Sequence, residues 1–279
     1  MNSLMIQGTS SGAGKTTLVT ALCRIFSKKG YKVSPFKSQN MSNYSYKIKE
    51  FEISRAQAIQ AVAARADITP DINPILLKPL GNYRSSVFLH GKFYKNMHAR
   101  EYYEKFALTK GLTAATSSLY KLQRSNDFVI IEGAGSPSEI NLEKFDIANM
   151  RIADKAKSPV LLVTDIDRGG SFASIIGTME LLDKKHRSHV KGFVINKFRG
   201  DLDILKPGLQ KLKKKTGRPT LGAIPMAKFA LPEEDSLDVK AKHIVWNKKN
   251  LKKINSEIDK LSKLVEKSLN IKEIERMIR

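Results

Sequence analysis

The sequence predicts an α/β fold: a mostly parallel sheet covered by helices on both faces, with a helical tail at the C-terminus. Four apolar runs follow one another at intervals suited to βα units, at 128–131, 160–164, 193–196 and 221–224. They are rich in Val, Ile and Leu without polar alternation, which is typical of strands buried on both faces. After about residue 235 the composition becomes strongly basic, so we expect one domain over 1–235 and a separate tail over 236–279.

The first element should be a strand at 3–7 that leads through a glycine-rich loop into an amphipathic helix. Leu18, Leu22 and Ile25 recur at helical spacing, and Gly30 stands where that helix should end. A second strand is expected over 31–35.

Ser54 can cap an alanine-rich helix that runs to about residue 66, and the two prolines of 69–74 should then force a turn. Residues 98–124 look helical, with a break expected at Gly111. Further helices are expected between the later strands, at 146–156, 170–183 and 203–215.

The tail should be a basic amphipathic helix. From 240 to 279 there are 12 Lys and Arg against 5 Asp and Glu, and Leu251, Ile254, Ile258 and Leu261 recur at helical spacing. Such a helix either docks on the domain with its charged face in water or binds a partner protein. Both readings stay open at this point.

The composition excludes several classes of protein. The chain has 279 residues and a formal charge of +22, and no apolar stretch approaches the ~20 residues of a membrane span. A single cysteine, Cys23, excludes an intrachain disulfide and a CxxC metal site. No DNA-binding motif accompanies the positive charge, which alone is non-specific. We therefore expect a cytoplasmic protein without a nucleic-acid or membrane partner.

The segment GTSSGAGKTT at 8–17 resembles a phosphate-binding P-loop whose first glycine lies one residue early. Two glycines let backbone N–H groups turn inward, the lysine supplies a charge to the terminal phosphates, and the first threonine offers a hydroxyl to Mg²⁺. The motif predicts a P-loop NTPase fold with ATP and Mg²⁺ as cofactors. The expected ATP-binding residues here are Gly12, Ala13, Gly14, Lys15, Thr16 and Thr17.

Thr9 narrows the subfamily. ATPase switches of the partitioning type carry a lysine at this position, whereas the pattern G-T-x-x-x-x-G-K-T is that of P-loop synthetases such as dethiobiotin synthetase and the corrinoid amidases.

Eight segments in register make the resemblance more specific. The chain is similar, over about 3–235, to the synthetase domain of cobyric acid synthases. The segments are PFKSQNMS (35–42), EISRAQ (52–57), NPILLKP (73–79), HGK (90–92), IIEGAGSPSEINL (130–142), DIANM (146–150), TDIDRGGSFASIIGT (164–178) and KGFVINKFRGD (191–201).

This resemblance implies an ATP-dependent carbon–nitrogen ligase of cobalamin biosynthesis. Enzymes of this family phosphorylate the b, d, e and g side-chain carboxylates of adenosylcobyrinic acid a,c-diamide, and ammonia then displaces phosphate to give cobyric acid. Their ammonia comes from a glutaminase domain with a cysteine nucleophile. Cys23 lies near the apolar face of the first helix, so we expect it to be buried and inert. Ammonia would then come from a separate glutaminase subunit, for which the tail is the first docking candidate, or from solution. A homo-oligomer stays open.

The resemblance also implies roles for residues at the ends of the strands. Lys37 should bridge the γ-phosphate and the attacking carboxylate, and Glu132 should contact Mg²⁺ at the carboxyl edge of the sheet. Glu52 is either a further metal contact or an acid in the first turn of a helix. Asp165 or Asp167 is expected near the metal or the substrate carboxylate, or as a turn cap.

Arg168 should face phosphate or substrate, and Asn196 with Lys197 resembles the pair that reads adenine in related synthetases. Six residues form the expected substrate-binding set: Gln39, Asn40, Ser136, Ser138, Glu139 and Asn141. Two alternatives to the corrinoid amidase remain: a synthetase of dethiobiotin synthetase type, and an ATPase switch of the partitioning type.

Overall fold

A six-stranded parallel sheet forms the centre of the molecule in a computed structural model, which describes residues 2–48, 50–232 and 246–279. The strands of the described chain are β1 (Ser3–Gly8), β2 (Val33–Phe36), β3 (Gln39–Met41), β4 (Ser45–Ile48), β5 (Phe51–Ser54), β6 (Ile75–Gly81), β7 (Arg84–Leu89), β8 (Lys92–His98), β9 (Phe128–Glu132), β10 (Val160–Asp165), β11 (Val190–Phe198) and β12 (Thr220–Pro225). The central order is β12-β11-β10-β1-β9-β2, and all neighbours run parallel. This confirms the predicted sheet.

Helices cover both faces of the central sheet, as predicted. The helices of the described chain are α1 (Lys15–Lys28), α2 (Arg55–Ala64), α3 (Ala99–Glu101), α4 (Leu112–Ser125), α5 (Met150–Ala156), α6 (Ser171–Leu181), α7 (Lys184–His189), α8 (Leu202–Thr216), α9 (Lys248–Ser268) and α10 (Ile271–Ile278). Alternate residues of β1 separate two cores: Leu4 and Ile6 pack with α1, α2, α9 and α10, whereas Met5 packs with the helices of the opposite face. No helix in the described ranges combines the length and apolar character of a membrane span.

The tail belongs to the hydrophobic core. Ile254, Ile258, Val265 and Ile274 are each at most 4% exposed and pack in the same cluster as the P-loop helix α1. The prediction of a helix docked on the domain is therefore confirmed, and the apolar face of the tail is already covered. The predicted boundary at 235/236 lies outside the described residues.

Two local predictions were wrong. Gly111 does not break its helix, because its backbone is helical and a π-helical stretch, Tyr102–Gly111, runs directly from α3 into α4. A Cβ at Gly111 would lie only 3.2 Å from the Phe106 ring. Close packing against this ring therefore accounts for a glycine at this position. The helix expected from 146 begins only at Met150, because the Asp146 carboxylate accepts the N–H groups of Ala148 and Asn149 and holds the chain in a turn.

The residues between β2 and α4 carry strands that the sequence analysis did not predict. A sheet of order β3-β6-β7-β8 and a small hairpin of β4 and β5 stand beside the central sheet. Ser54 ends β5 and caps α2 as expected, since its hydroxyl accepts the N–H of Ala56 at 3.2 Å. Glu52 thus lies on a strand, and the alternative of a first-turn helix acid is wrong.

Candidate active site

The phosphate loop lies between β1 and α1, at the carboxyl edge of the sheet. Gly12 and Gly14 have φ angles of 73° and 98°, which L side chains rarely adopt. A Cβ at Gly14 would also lie 2.0 Å from the Asn196 amide nitrogen. Lys15 Nζ donates to the carbonyl oxygens of Ser10 at 3.0 Å and Gly135 at 2.8 Å, so the P-loop lysine is held between its own loop and the chain after β9.

Glu132 is the centre of a buried polar cluster beside this loop. It ends β9 and is 1% exposed. Its Oε1 atom accepts hydrogen bonds from the Thr16 hydroxyl and from Lys37 Nζ, each at 2.8 Å, and Oε2 accepts one from Gln60 at 2.5 Å. The structure thus brings together Thr16, Lys37 and Glu132, three residues that the sequence analysis selected separately.

The cluster favours the ionised form of Glu132. Burial by itself would raise the pKa of this carboxyl group, but the charge of Lys37 and the hydrogen bonds from Lys37, Gln60 and Thr16 outweigh it and lower the pKa. A hydroxyl and an anionic carboxylate are the oxygen ligands that Mg²⁺ prefers, usually together with substrate phosphates. The residues present therefore fit a magnesium site at Thr16 and Glu132.

The sequence analysis missed two kinds of supporting residue. Gln57 and Gln60 are fully buried on α2 and both donate to Glu132 Oε2, at 3.4 and 2.5 Å. Two glutamines three residues apart in an alanine-rich helix were the available signal. Asn149 exchanges hydrogen bonds with the backbone of Ala134, at 2.6 and 3.1 Å, and thereby fixes the turn after β9.

Asp165 ends β10 and Asp167 lies in the turn that follows it, and both pair with basic side chains. Asp165 Oδ2 is 2.7 Å from Lys197 Nζ and 3.5 Å from Arg168 Nε, and its Oδ1 atom accepts the N–H of Asp167. Asp167 Oδ1 is 2.9 Å from Arg199 Nε. Both the expected turn cap and an ionic role of Asp165 are therefore present, while the contacts to metal or substrate stay predictions.

Asn196 and Lys197 support the phosphate loop from β11. The Asn196 amide donates to the Ala13 carbonyl oxygen at 2.8 Å, and Lys197 Nζ donates to that of Gly12 at 2.9 Å. Lys197 has a φ of 57°, so its backbone is in the left-handed region at this contact. The adenine-reading role of the pair stays a prediction.

Two cavities meet at Ala134 and Gly135. The nucleotide cavity, about 950 Å³, is lined by the P-loop with Lys37, Glu132 and Asn196. The second cavity, about 560 Å³, is lined by Gln39 and by the loop after β9. Both linings include Ala134 and Gly135, so the two cavities lie on either side of these residues.

The predicted substrate residues divide between these two cavities. Gln39, Ser136 and Glu139 line the second cavity, whereas Asn40 lines the nucleotide cavity. Ser138 is hydrogen-bonded to Ser136 at 2.8 Å. Neither described lining includes Asn141, nor Asp165, Asp167, Arg168 or Glu52.

Glu52 is engaged away from the P-loop. Its Oε1 atom accepts hydrogen bonds from Lys78 Nζ and from the Ser45 hydroxyl. Burial opposes the ionisation of Glu52, but these two hydrogen bonds and the charge of Lys78 outweigh it and lower its pKa. A contact of Glu52 with magnesium stays a prediction.

Cys23 is buried in the core, as expected. It is 0% exposed on α1. Burial, and secondarily the nearby charge of Glu132, raise the pKa of its thiol. A thiol in this environment does not supply the thiolate that nucleophilic catalysis needs.

Comparison with known protein families gives a match over most of the chain. Residues 4–238 match the family described as "CobQ/CobB/MinD/ParA nucleotide binding domain". A "Probable cobyric acid synthase" of Thermococcus onnurineus is 58% identical over 84% of this chain and 48% of its own length. A "Cobyric acid synthase" of Dehalococcoides mccartyi is 52% identical over 84% of this chain and 46% of its own.

The chain thus spans about half the length of the curated relatives it matches. Solved structures are more distant: a cell division protein FtsY of Thermotoga maritima is 18% identical, with a TM-score of 0.47 over 81% of this chain and 62% of that one. The family match extends from β1 through the P-loop to the region after β12. The chain belongs to the family of CobQ/CobB/MinD/ParA nucleotide binding domains.

Proposed function

We propose that this chain is an ATP-dependent carbon–nitrogen ligase that amidates side-chain carboxylates of a corrin ring. The reaction is the conversion of adenosylcobyrinic acid a,c-diamide to cobyric acid through acyl phosphates at the b, d, e and g positions. The names of the relatives at 52–58% identity support this class of reaction. The observation that carries the proposal is the junction at Ala134 and Gly135, where the P-loop cavity meets a second cavity.

The nucleotide cavity supports phosphoryl transfer. Phosphoryl transfer needs positioning and charge neutralisation more than covalent chemistry. Lys15 and Lys37 bring two positive charges to this cavity, and the hydroxyl of Thr16 lies against Glu132. Mg²⁺, when bound at Thr16 and Glu132, would neutralise phosphate charge. Lys37 would neutralise the charge that develops as a substrate carboxylate attacks the γ-phosphorus and ADP leaves.

The second cavity would hold the corrinoid side chain that reacts. Its lining contributes Gln39, Ser136 and Glu139 and shares the wall of Ala134 and Gly135 with the nucleotide cavity. The acyl phosphate would form at this wall, and ammonia would attack its carbonyl carbon and displace inorganic phosphate. The buried Cys23 is not suited to release ammonia from glutamine, so ammonia would reach this site from a glutaminase site elsewhere or from solution.

Phosphate release tests the substrate class. We expect release from ATP and Mg²⁺ to depend on a corrinoid a,c-diamide. It should not respond to 7,8-diaminononanoate, the type of diamine that a dethiobiotin synthetase uses. Phosphate release that depends on the diamine would support the sister synthetase. Phosphate release that is equally fast without either compound would support the ATPase switch.

A further inference from the structure

The tail helix α9 contributes to the wall of the nucleotide cavity. Leu261 and Val265 belong to the lining of that cavity and are each 1% exposed. Both residues lie beyond the matched family region, which ends at 238. A segment outside the matched region thus shapes the site at which the family binds its nucleotide.

The lining of the cavity is divided by chemistry. The P-loop supplies backbone N–H groups together with Lys15 and Thr16, which suit phosphates. The end of β12 and the chain that follows it supply apolar side chains, and these join Leu261 and Val265 of α9. The apolar members are Ile224, Pro225, Met226, Ala227, Phe229, Leu231 and Pro232.

A nucleoside triphosphate has the same division, because its anionic phosphates are joined through a sugar to a flat aromatic base. Apolar side chains in a pocket bury the faces of such a ring, and a few polar groups fix its orientation. Asn196, the expected base reader, uses its amide N–H to hold the Ala13 carbonyl. An apolar wall is suited to pack against the faces of a base, a kind of contact that this amide group does not provide.

The position of α9 is fixed by contacts with α1. Lys28 Nζ lies 2.7 Å from Asp259 Oδ1, and Arg24 donates a hydrogen bond to Asn255. The N–H of Ala230, in the apolar segment after β12, donates to Glu257 Oε2 at 3.0 Å. Because α9 contacts both the P-loop helix and this segment, the wall is tied to the loop that binds phosphate.

We propose that α9 forms one wall of the base subsite, and that Leu261 and Val265 determine how tightly the base of ATP is held. This inference rests on the proposed function only for the choice of ATP as nucleotide. It assigns the tail a direct part in nucleotide binding, in addition to its part in the core.

The test compares ATP with inorganic triphosphate, which carries the phosphates without a base. Affinities of the full chain for both ligands, with Mg²⁺, are measured by isothermal titration calorimetry for the parent, Leu261→Ala, Val265→Ala and Ile258→Ala. Ile258 is a matched control, because it is 0% exposed on the same helix and outside the cavity lining. Leu261→Ala and Ile258→Ala also remove the same number of carbon atoms.

We expect Leu261→Ala to lower the affinity for ATP by about tenfold, as for apolar groups removed from a binding pocket, and to leave the affinity for triphosphate unchanged. Val265→Ala should act in the same direction, and Ile258→Ala should leave the ratio of the two affinities at the parental value. Equal weakening of both ligands, or an ATP affinity within twofold of the parent in both cavity variants, would overturn the inference. Neither readout uses a corrinoid, so failure here is distinguishable from failure of the proposed amidation.

Discussion

Replacing Lys37 by methionine tests the buried cluster most severely. The side chains are similar in length, so Lys37→Met removes a charge with little change in volume. It leaves the Glu132 carboxylate buried without its cation, since the two residues are 4% and 1% exposed and their N and O atoms are 2.8 Å apart. We expect a large loss of folding free energy that depends on pH.

The magnitude follows from the distance and the burial. At an effective dielectric constant of about 20, two unit charges 2.8 Å apart attract by roughly 6 kcal/mol. Part of this attraction offsets the cost of taking Lys37 out of water, so the net loss should be about 3–5 kcal/mol. Gln60 and Thr16 still donate to Glu132 in the variant, which places the expected value near the lower end.

The sign of the pH dependence is fixed by the same contacts. In the parent the pKa of Glu132 is lowered, so its stabilisation is present above the unfolded value of about 4.3 and is lost as the pH falls. In Lys37→Met the effect of burial on Glu132 is no longer outweighed, so the pKa of this carboxyl group should rise above its value in the unfolded chain. As the pH falls, protonation of Glu132 reduces the destabilisation of the variant. The difference in the free energy of unfolding between parent and variant therefore becomes smaller.

Urea unfolding at pH 8 and pH 5, without nucleotide, measures this difference. The double variant Lys37→Met/Glu132→Gln is the control, because it removes the stranded charge and should recover much of the loss at pH 8. A loss below about 1 kcal/mol at both pH values, or a double variant no more stable than Lys37→Met, would refute the account of a buried ion pair.

Four further predictions concern the phosphate loop, the buried carboxylate of Glu132 and the thiol of Cys23. Lys15→Ala should raise the activation free energy of ATP-dependent turnover by about 2–4 kcal/mol. Turnover within threefold of the parent would contradict the P-loop assignment. Gly14→Ala should weaken nucleotide binding in calorimetry, because φ is 98° and Asn196 occupies the space of a Cβ. Glu132→Gln should abolish Mg²⁺-dependent turnover while circular dichroism stays native. Cys23→Ala should retain ammonium-dependent turnover; its loss would contradict the inert thiol.

The sequence predicted the central sheet well because most of its strands are buried on both faces. Runs such as 128–131 and 160–163 consist of apolar residues, and the observed strands include them. It did not predict β3 to β8. The strands β3 to β5 have three or four residues each, β6 contains a proline, and β8 has one buried residue, Met97. The tail could be assigned to a helix, but only the fold shows that Ile258 and Val265 complete the core around α1.

The candidate site was predicted where a motif or a strand end marked it. The P-loop motif marked Thr16, whereas Lys37 and Glu132 lie at the ends of buried strands, and parallel strands bring their carboxyl ends to one edge. Gln60 and Asn149 were missed because each acts from a different element, and their partners become neighbours only in the folded chain. Glu52 could not be placed, since its strand pairs in a hairpin and carries it towards Lys78.

A product-resolved assay tests the central claim most directly. The full chain is incubated with ATP, Mg²⁺ and adenosylcobyrinic acid a,c-diamide, with ammonium in one reaction and glutamine in the other, and mass spectrometry counts the new amides. We predict stepwise conversion to cobyric acid with ammonium and no product with glutamine. A corrinoid that stays unamidated while ATP is hydrolysed in the ammonium reaction would contradict the proposed function, and product with glutamine that is lost in Cys23→Ala would contradict the buried, inert thiol.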